Sequence, residues 1–217
     1  MRKKLFFIVG LVGILVSQGL FAMEVELNQI KIVLTGGPCS GKTSLIKAFK
    51  EREFNTIHEV ATSLIKKGEV HPLKDGCEKF QETVCAEQKR LEDKAAQETE
   101  KVVWFLDRGM PDGAGYYKNS GLKVPRTLRD AIEGYKYNVI FILDPVLYTT
   151  DGSVRFEGEK VSKELHGHMI EAYAEAGYEP IVVKNFAIDP EQGVRNRMDF
   201  VLNKLAELCS AQFPPTS

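Results

Sequence analysis

From Ile30 onward, short apolar runs alternate with longer amphipathic or polar stretches. Five runs read as strands: Ile30–Thr35, Thr56–Val60, Val102–Leu106, Val139–Leu143 and Glu179–Val183. None alternates strictly between apolar and polar residues, the pattern of strands covered on both faces. Helices are expected over Lys42–Glu51 and Glu78–Glu100, in one or two segments within Asp112–Gly134, and over Ser162–Ala176 and Pro190–Leu208. Pro190 marks the start of the last, and Val194, Met198, Val201, Leu202 and Leu205 give it an apolar stripe that reads as core. The run Glu82–Glu100 carries dense charge of both signs, the usual mark of a solvated helix face. Strands separated by helices predict an α/β fold with a parallel sheet and crossover helices. One domain of ordinary size accommodates this. It is placed over 28–210, and 211–217, with its Pro-Pro pair, reads as a frayed tail.

Residues 1–22 have a different pattern. Arg2, Lys3 and Lys4 precede an apolar core from Leu5 to Val16 and a stretch ending at Ala22, the layout of a secretory signal peptide. The uncharged stretch 5–23 is also about the length that crosses a bilayer, so an uncleaved anchor giving membrane association is a live alternative to the leading reading of a cleaved signal, with a misassigned start as the third. Formal net charge is −1, and without the first 22 residues 26 basic residues face 30 acidic ones. That balance lacks the electrostatic footprint of a nucleic-acid binder, so no nucleic-acid partner is expected. Cys39, Cys77, Cys85 and Cys209 form no CxxC pair and read as ordinary thiols. His58, His71, His166 and His168 form no metal set, and His166-x-His168 reads as solvated or structural.

The most specific chemistry lies where the first strand meets the first helix. Gly36-Gly37-Pro38-Cys39-Ser40-Gly41-Lys42-Thr43 matches G-x-x-x-x-G-K-[ST], with a strand before it and a helix after it. Gly36 and Gly41 permit backbone angles and a close approach that a Cβ would block, so successive N–H groups converge on phosphate oxygens. The helix that follows, entered through Thr43 and Ser44, adds unpaired N–H groups and a positive dipole end. Lys42 is expected at the β- and γ-phosphates, and the Thr43 hydroxyl on Mg²⁺. No Asn-Lys-x-Asp guanine-reading motif occurs, which favours ATP over GTP. An ATP site points to the cytosol and the N-terminal segment to export or anchoring, so the two signals disagree about location.

A loop of this kind needs a carboxylate at the end of a neighbouring buried strand. Val102–Leu106 followed by Asp107 supplies it, making Asp107 the expected Mg²⁺-side acid. Arg108, with Gly109 and the turn Pro111-Asp112-Gly113, then lies beside the same crevice. Its planar fork suits phosphoryl charge, with a surface salt bridge as the competing role. Glu59, after the second strand, either orients an acceptor hydroxyl or caps a helix. The polar, glycine-punctuated stretch 147–160, with Asp151, Gly152, Arg155, Gly158 and Lys160, suits a lid, in which Arg155 would neutralise transition-state charge, with an ordinary solvated loop as the competing reading. Arg195 and Arg197 are weaker candidates to flank base or phosphates.

These residues together resemble the AAA-type P-loop domain family related to the ribosylnicotinamide kinase domain of NadR, among the nucleoside and nucleotide kinase-like P-loop proteins. The resemblance spans Ile30 to about Leu208 and rests on residues 36–43, Glu59, Asp107-Arg108-Gly109 with Pro111-Asp112, Asp151-Gly152 with Arg155, and Tyr173 with Gly177-Tyr178. It implies a five-stranded parallel sheet of order 2-3-1-4-5, with helices on both faces and the Asp107 strand beside the loop strand. It also implies ATP with Mg²⁺ and transfer of the γ-phosphate to a nucleoside-like small-molecule acceptor. A nucleotide-dependent switch with slow hydrolysis and a protein partner is the alternative.

Overall fold

The computed structural model describes residues 29–98, 100, 102–146, 159–185 and 189–212, with backbone only for 159–162 and 211–212. The leader 1–22, the stretch carrying Asp151, Gly152, Arg155 and Gly158, and the tail from 213 onward lie outside these residues. Lys160 falls where only backbone is described.

The strands are β1 (Ile30–Thr35), β2 (Asn55–Ile57), β3 (Val103–Asp107), β4 (Val139–Leu143) and β5 (Ile181–Val183). They form one sheet of order β2-β3-β1-β4-β5 in which every pair is parallel. This is the 2-3-1-4-5 arrangement expected above. β1 is central, with Leu34 in register with Asp107 on one side and Phe141 on the other. From β1 the chain moves outward to one edge, returns through β3, and crosses to β4 on the other side. The carboxyl ends of β3, β1 and β4 therefore surround a switch point, where ligands bind in open α/β sheets. The two edge strands, β2 and β5, have three residues each.

The helices are α1 (Lys42–Glu51), α2 (Val60–Lys67), α3 (Pro72–Asp75), α4 (Cys77–Ala96), α5 (Met110–Asn119), α6 (Arg126–Gly134), α7 (Glu159–Glu175) and α8 (Pro190–Gln212). α1 buries Leu45, Ile46 and Phe49. Phe49 stacks on Phe105 of β3 with ring centroids 3.9 Å apart, and Phe54 meets both rings edge-on, locking α1 to the sheet. α5 and α7 approach closely at Gly115, where a Cβ would stand 2.7 Å from Met169 Sδ. Gln29–Val201 forms one compact unit; the remainder of α8, Leu202–Gln212, lies outside it and is described only as helix.

Two expectations change. The strand expected over Thr56–Val60 ends at Ile57, and Val60 opens α2, a helix foreseen only in the alternative that had Glu59 capping one. Val60 and Leu64, one turn apart, bury one face of α2 against Val70 and Phe80. This i, i+4 spacing overrides the β-branched character of Val60 and Thr62. The charged run on α4 is not wholly solvated either. Glu92 is fully buried and is met by Lys31 Nζ, Gln88 Nε2 and Tyr137 Oη, each at 3.0 Å. Three donors compensate a carboxylate that would otherwise be too costly to bury.

Candidate active site

The phosphate loop leaves β1 at Gly36, whose φ is +134° and whose added Cβ would lie 2.6 Å from the Leu143 carbonyl oxygen. Glycine is required there. Cys39, at φ +57°, is a left-handed residue within the loop, a conformation held only where the surroundings over-determine it. Those surroundings include Arg197, which is buried behind the loop. Its guanidinium donates to the backbone oxygens of Ser40 at 2.5 Å, Asp144 at 2.7 Å and Lys184 at 3.0 Å, tying the loop to the ends of β4 and β5. Val146 N–H adds a bond to the Cys39 carbonyl at 3.1 Å. Arg197 thus holds the loop's backbone rather than flanking a base or phosphate. Arg195 is exposed, with its guanidinium on Glu191 and Gln192 of its own helix.

Lys42 is buried and folded back, donating to Gly36 O at 2.9 Å, Gly37 O at 2.8 Å and Ser40 Oγ at 3.0 Å. Burial, reinforced by the charge of Arg108, lowers its ammonium pKa to about 8 against the pull of Asp107, Glu59 and Asp112. Thr43 and Ser44 are exposed at the start of α1. Thr43 Oγ1 donates to Asp107 Oδ2 at 3.2 Å, so the hydroxyl and the strand-end acid sit together as the sequence requires. Asp107 is buried, and its Oδ1 has no hydrogen-bond partner among the described residues. Burial, and then the charge of Glu59, raise its carboxyl pKa to about 6. A hydroxyl beside a carboxylate with a buried, unpartnered oxygen is a hard-oxygen donor set, and it fits Mg²⁺ or one of its waters.

Arg108 follows Asp107 at φ +80° and is buried, which sets aside the surface salt bridge. Its Nε reaches Glu59 Oε1 at 3.1 Å; its Nη1 reaches Asp112 Oδ1 at 2.8 Å and Gly36 O at 3.3 Å. Asp112 is fully engaged, accepting also from Thr35 Oγ1 at 2.8 Å, Gly109 N–H at 3.0 Å and Tyr173 Oη at 2.6 Å. The arginine is therefore held by Glu59, Gly36 and Asp112, and Asp112 is itself fixed from β1 and α7. Glu59 occupies the position before α2 without capping the helix; its carboxylate accepts from Arg108 and, at 2.6 Å, from Thr62 Oγ1. Burial pushes its pKa up, but Arg108, the Thr62 hydroxyl and Lys42 outweigh this and hold it below the usual value.

Two concavities adjoin the pair. A narrow cleft of about 30 Å³ is lined by Asp107 and Arg108 together with Val60, Gln81, Gln88 and Tyr116. An open groove of about 530 Å³ runs along edge strand β2, reached by Glu59. Two contacts go beyond the sequence reading. Tyr173 fixes Asp112, and His166, expected to be solvated or structural, accepts the Gly37 N–H at Nδ1 at 3.2 Å. The available signal for His166 was the buried Leu165/Met169 pair on α7, which sets it at the margin of that helix's core-facing side.

The model of the AAA domain family AAA_28 matches residues 31–188. A search of characterised proteins by sequence found no match. Among solved structures the chain is similar to NadR in complex with NR, at TM-score 0.63 and 16% identity over 82% of this chain and 51% of that one. It thus spans about half the length of NadR. It is also similar to thymidylate kinase from Ehrlichia chaffeensis, at TM-score 0.61 and 14% identity over 82% and 99% of the two chains. Deoxyadenosine kinase from M. mycoides follows at TM-score 0.52 and 17% identity over 82% and 100%. Identities this low speak to fold alone, and the fold they share is that of kinase-like P-loop proteins. With the family match covering most of its length and the loop, sheet order and strand-end acid in place, the chain belongs to the AAA domain family AAA_28, with a nucleotide-binding, kinase-like P-loop fold.

Proposed function

We propose that this protein transfers the γ-phosphate of ATP to a hydroxyl of a small, nucleoside-like acceptor. The observation that carries this reading is the Glu59–Arg108–Asp112 arrangement beside the loop: a carboxylate kept ionised, and an arginine positioned by two acids, are of little use for holding nucleotide alone. The similarity to NadR bound to NR and to two nucleoside and nucleotide kinases supports the same reaction class.

The loop amides and Lys42 bind the phosphates, the ammonium exchanging three protein acceptors for phosphate oxygens. Thr43 and Asp107 would hold Mg²⁺ or its waters, and the ion would supply positive charge that offsets the phosphate charge. Glu59 accepts the hydrogen bond of the acceptor hydroxyl and takes its proton as the oxygen bonds to phosphorus and the bond to the ADP oxygen breaks. Arg108 stabilises the equatorial oxygens, its direction fixed by Asp112. The cleft beside Arg108 has room for only a water or two, so a nucleoside-sized acceptor enters as α2 and α4 spread, and their return excludes water. Arg155, outside the described residues, is assigned to the transferring group as a second cation.

The test is ADP formation with Mg²⁺-ATP over a panel of nucleosides, nucleotides and small alcohols. Acceptor-dependent ADP release with a phosphorylated product is expected, falling by at least 10²-fold in Lys42→Ala. Hydrolysis that no acceptor accelerates would sink the assignment.

A further inference from the structure

His166 stands on α7, far in sequence from the loop, yet it occupies one of the loop's own amides. Leu165 and Met169 are completely buried against Ile142, which fixes the rotation of α7 about its axis and leaves half-buried His166 facing Gly37. Its Nδ1 accepts the Gly37 N–H at 3.2 Å, so Nδ1 is unprotonated and the imidazole is neutral with its proton on Nε2. The same peptide unit is engaged at its other end, where the Gly37 carbonyl accepts from Lys42 Nζ and Ser40 Oγ. Without nucleotide, the opening of the loop is thus satisfied internally: lysine on its oxygens, histidine on its nitrogen. An arriving polyphosphate competes for both.

We infer that His166 is a further phosphate-binding residue: it holds the Gly37 amide in the nucleotide-free protein and, when polyphosphate arrives, releases it, takes a proton from solvent and donates to a phosphate oxygen. The proton adds to Nδ1, the N–H···N bond to Gly37 is lost, and an N–H···O bond to phosphate forms. The charged groups acting on the ring agree with this. Burial and the Lys42 ammonium on α1 lower its pKa, and Asp144 after β4 raises it, leaving it below the ordinary value in the free protein. On α7 the neighbouring Lys163 and Glu164 are exposed. A triphosphate beside the ring reverses the balance, since a nearby anion favours the imidazolium. Binding and protonation are then linked, each promoting the other.

This rests on the loop binding nucleotide but not on any acceptor, and the experiment contains none. Titration calorimetry of the full chain with Mg²⁺-AMP-PNP, in two buffers of different ionisation enthalpy at each of several pH values from 6 to 8, counts the protons taken up. His166→Asn is the comparison, because its Oδ1 replaces Nδ1 as acceptor for Gly37 but cannot be protonated. The nucleotide's own titration and that of Lys42 are common to both proteins and cancel in the difference. Wild type is expected to take up on the order of half a proton more than the variant near neutral pH, so that its affinity weakens about threefold more per pH unit as pH rises. Equal proton counts and parallel pH profiles would overturn the inference. So would a wild-type histidine whose side-chain NMR signals stay those of the neutral ring when nucleotide saturates the site, a measurement that needs no variant. Absence of any nucleotide binding would instead remove the reading of the loop, and this inference with it.

Discussion

Asp107 shows how the site trades stability for chemistry. Its carboxyl titrates near pH 6 in the folded protein, through burial and the charge of Glu59, against 3.8 for an unperturbed aspartate. Below about pH 3 it is protonated in both folded and unfolded chains and costs nothing. As pH rises toward 6 the unfolded chain ionises first, and wild type loses stability relative to a neutral side chain; at pH 7 the full penalty is present. Asp107→Asn keeps an acceptor for the Thr43 hydroxyl and is expected to stabilise the nucleotide-free protein at pH 7 by on the order of 1–3 kcal/mol. Thermal melts should show that gain shrinking to nothing by about pH 3. The Mg²⁺-dependent part of nucleotide binding should be lost in the same variant. A variant less stable than wild type at pH 7 would mean that the carboxylate is compensated in a way its unpartnered Oδ1 does not show.

Legibility in the sequence differed by element. The path from β1 through the loop to α1 was readable because loop and helix start share one backbone requirement: left-handed angles at Gly41, and at Gly36 a space that Leu143 would deny to any Cβ. Asp107 was readable as the acid ending a run of buried apolar residues. α2 was not, because Val60 and Thr62 extend the β-branched character of Thr56-Ile57, and only the Val60/Leu64 spacing betrays the turn into helix. The contacts of Arg197 and His166 were not readable for another reason. Each acts on backbone atoms of a loop far away in sequence, and backbone acceptors and donors leave no trace in residue identity. The α8 clamp gives a direct prediction. Arg197→Ala leaves the Ser40, Asp144 and Lys184 carbonyls without their shared donor, at a cost of about 3 kcal/mol. Calorimetry should register this as a fall in Tm of about 10 °C, accompanied by weaker nucleotide binding. An unchanged Tm would show that the three carbonyls find water as readily as guanidinium.

Across the whole molecule, the parallel sheet gathers Thr43, Asp107, Arg108 and Asp112 at the carboxyl ends of adjacent strands, while the cleft beside Arg108 depends on how α2 and α4 are placed. Nucleotide binding should therefore stabilise the fold as a unit. At one hundred times its Kd, Mg²⁺-ATP is expected to add about 2.7 kcal/mol, a rise in Tm of roughly 5–10 °C. Lys42→Ala should remove most of that rise, and a shift that survives it would place the nucleotide elsewhere.

The sheet closes at either end on three residues, β2 and β5. A foreign strand seeking to extend it would find only a few free backbone groups at each margin, too short a template for the ladder that feeds aggregation. Val182, 45% exposed on β5, is a sizeable apolar side chain left at such a margin. The brevity of its strand keeps it from becoming a nucleus for strand-by-strand growth, so the parallel sheet that assembles the phosphate site remains compatible with a chain that stays dispersed while folding.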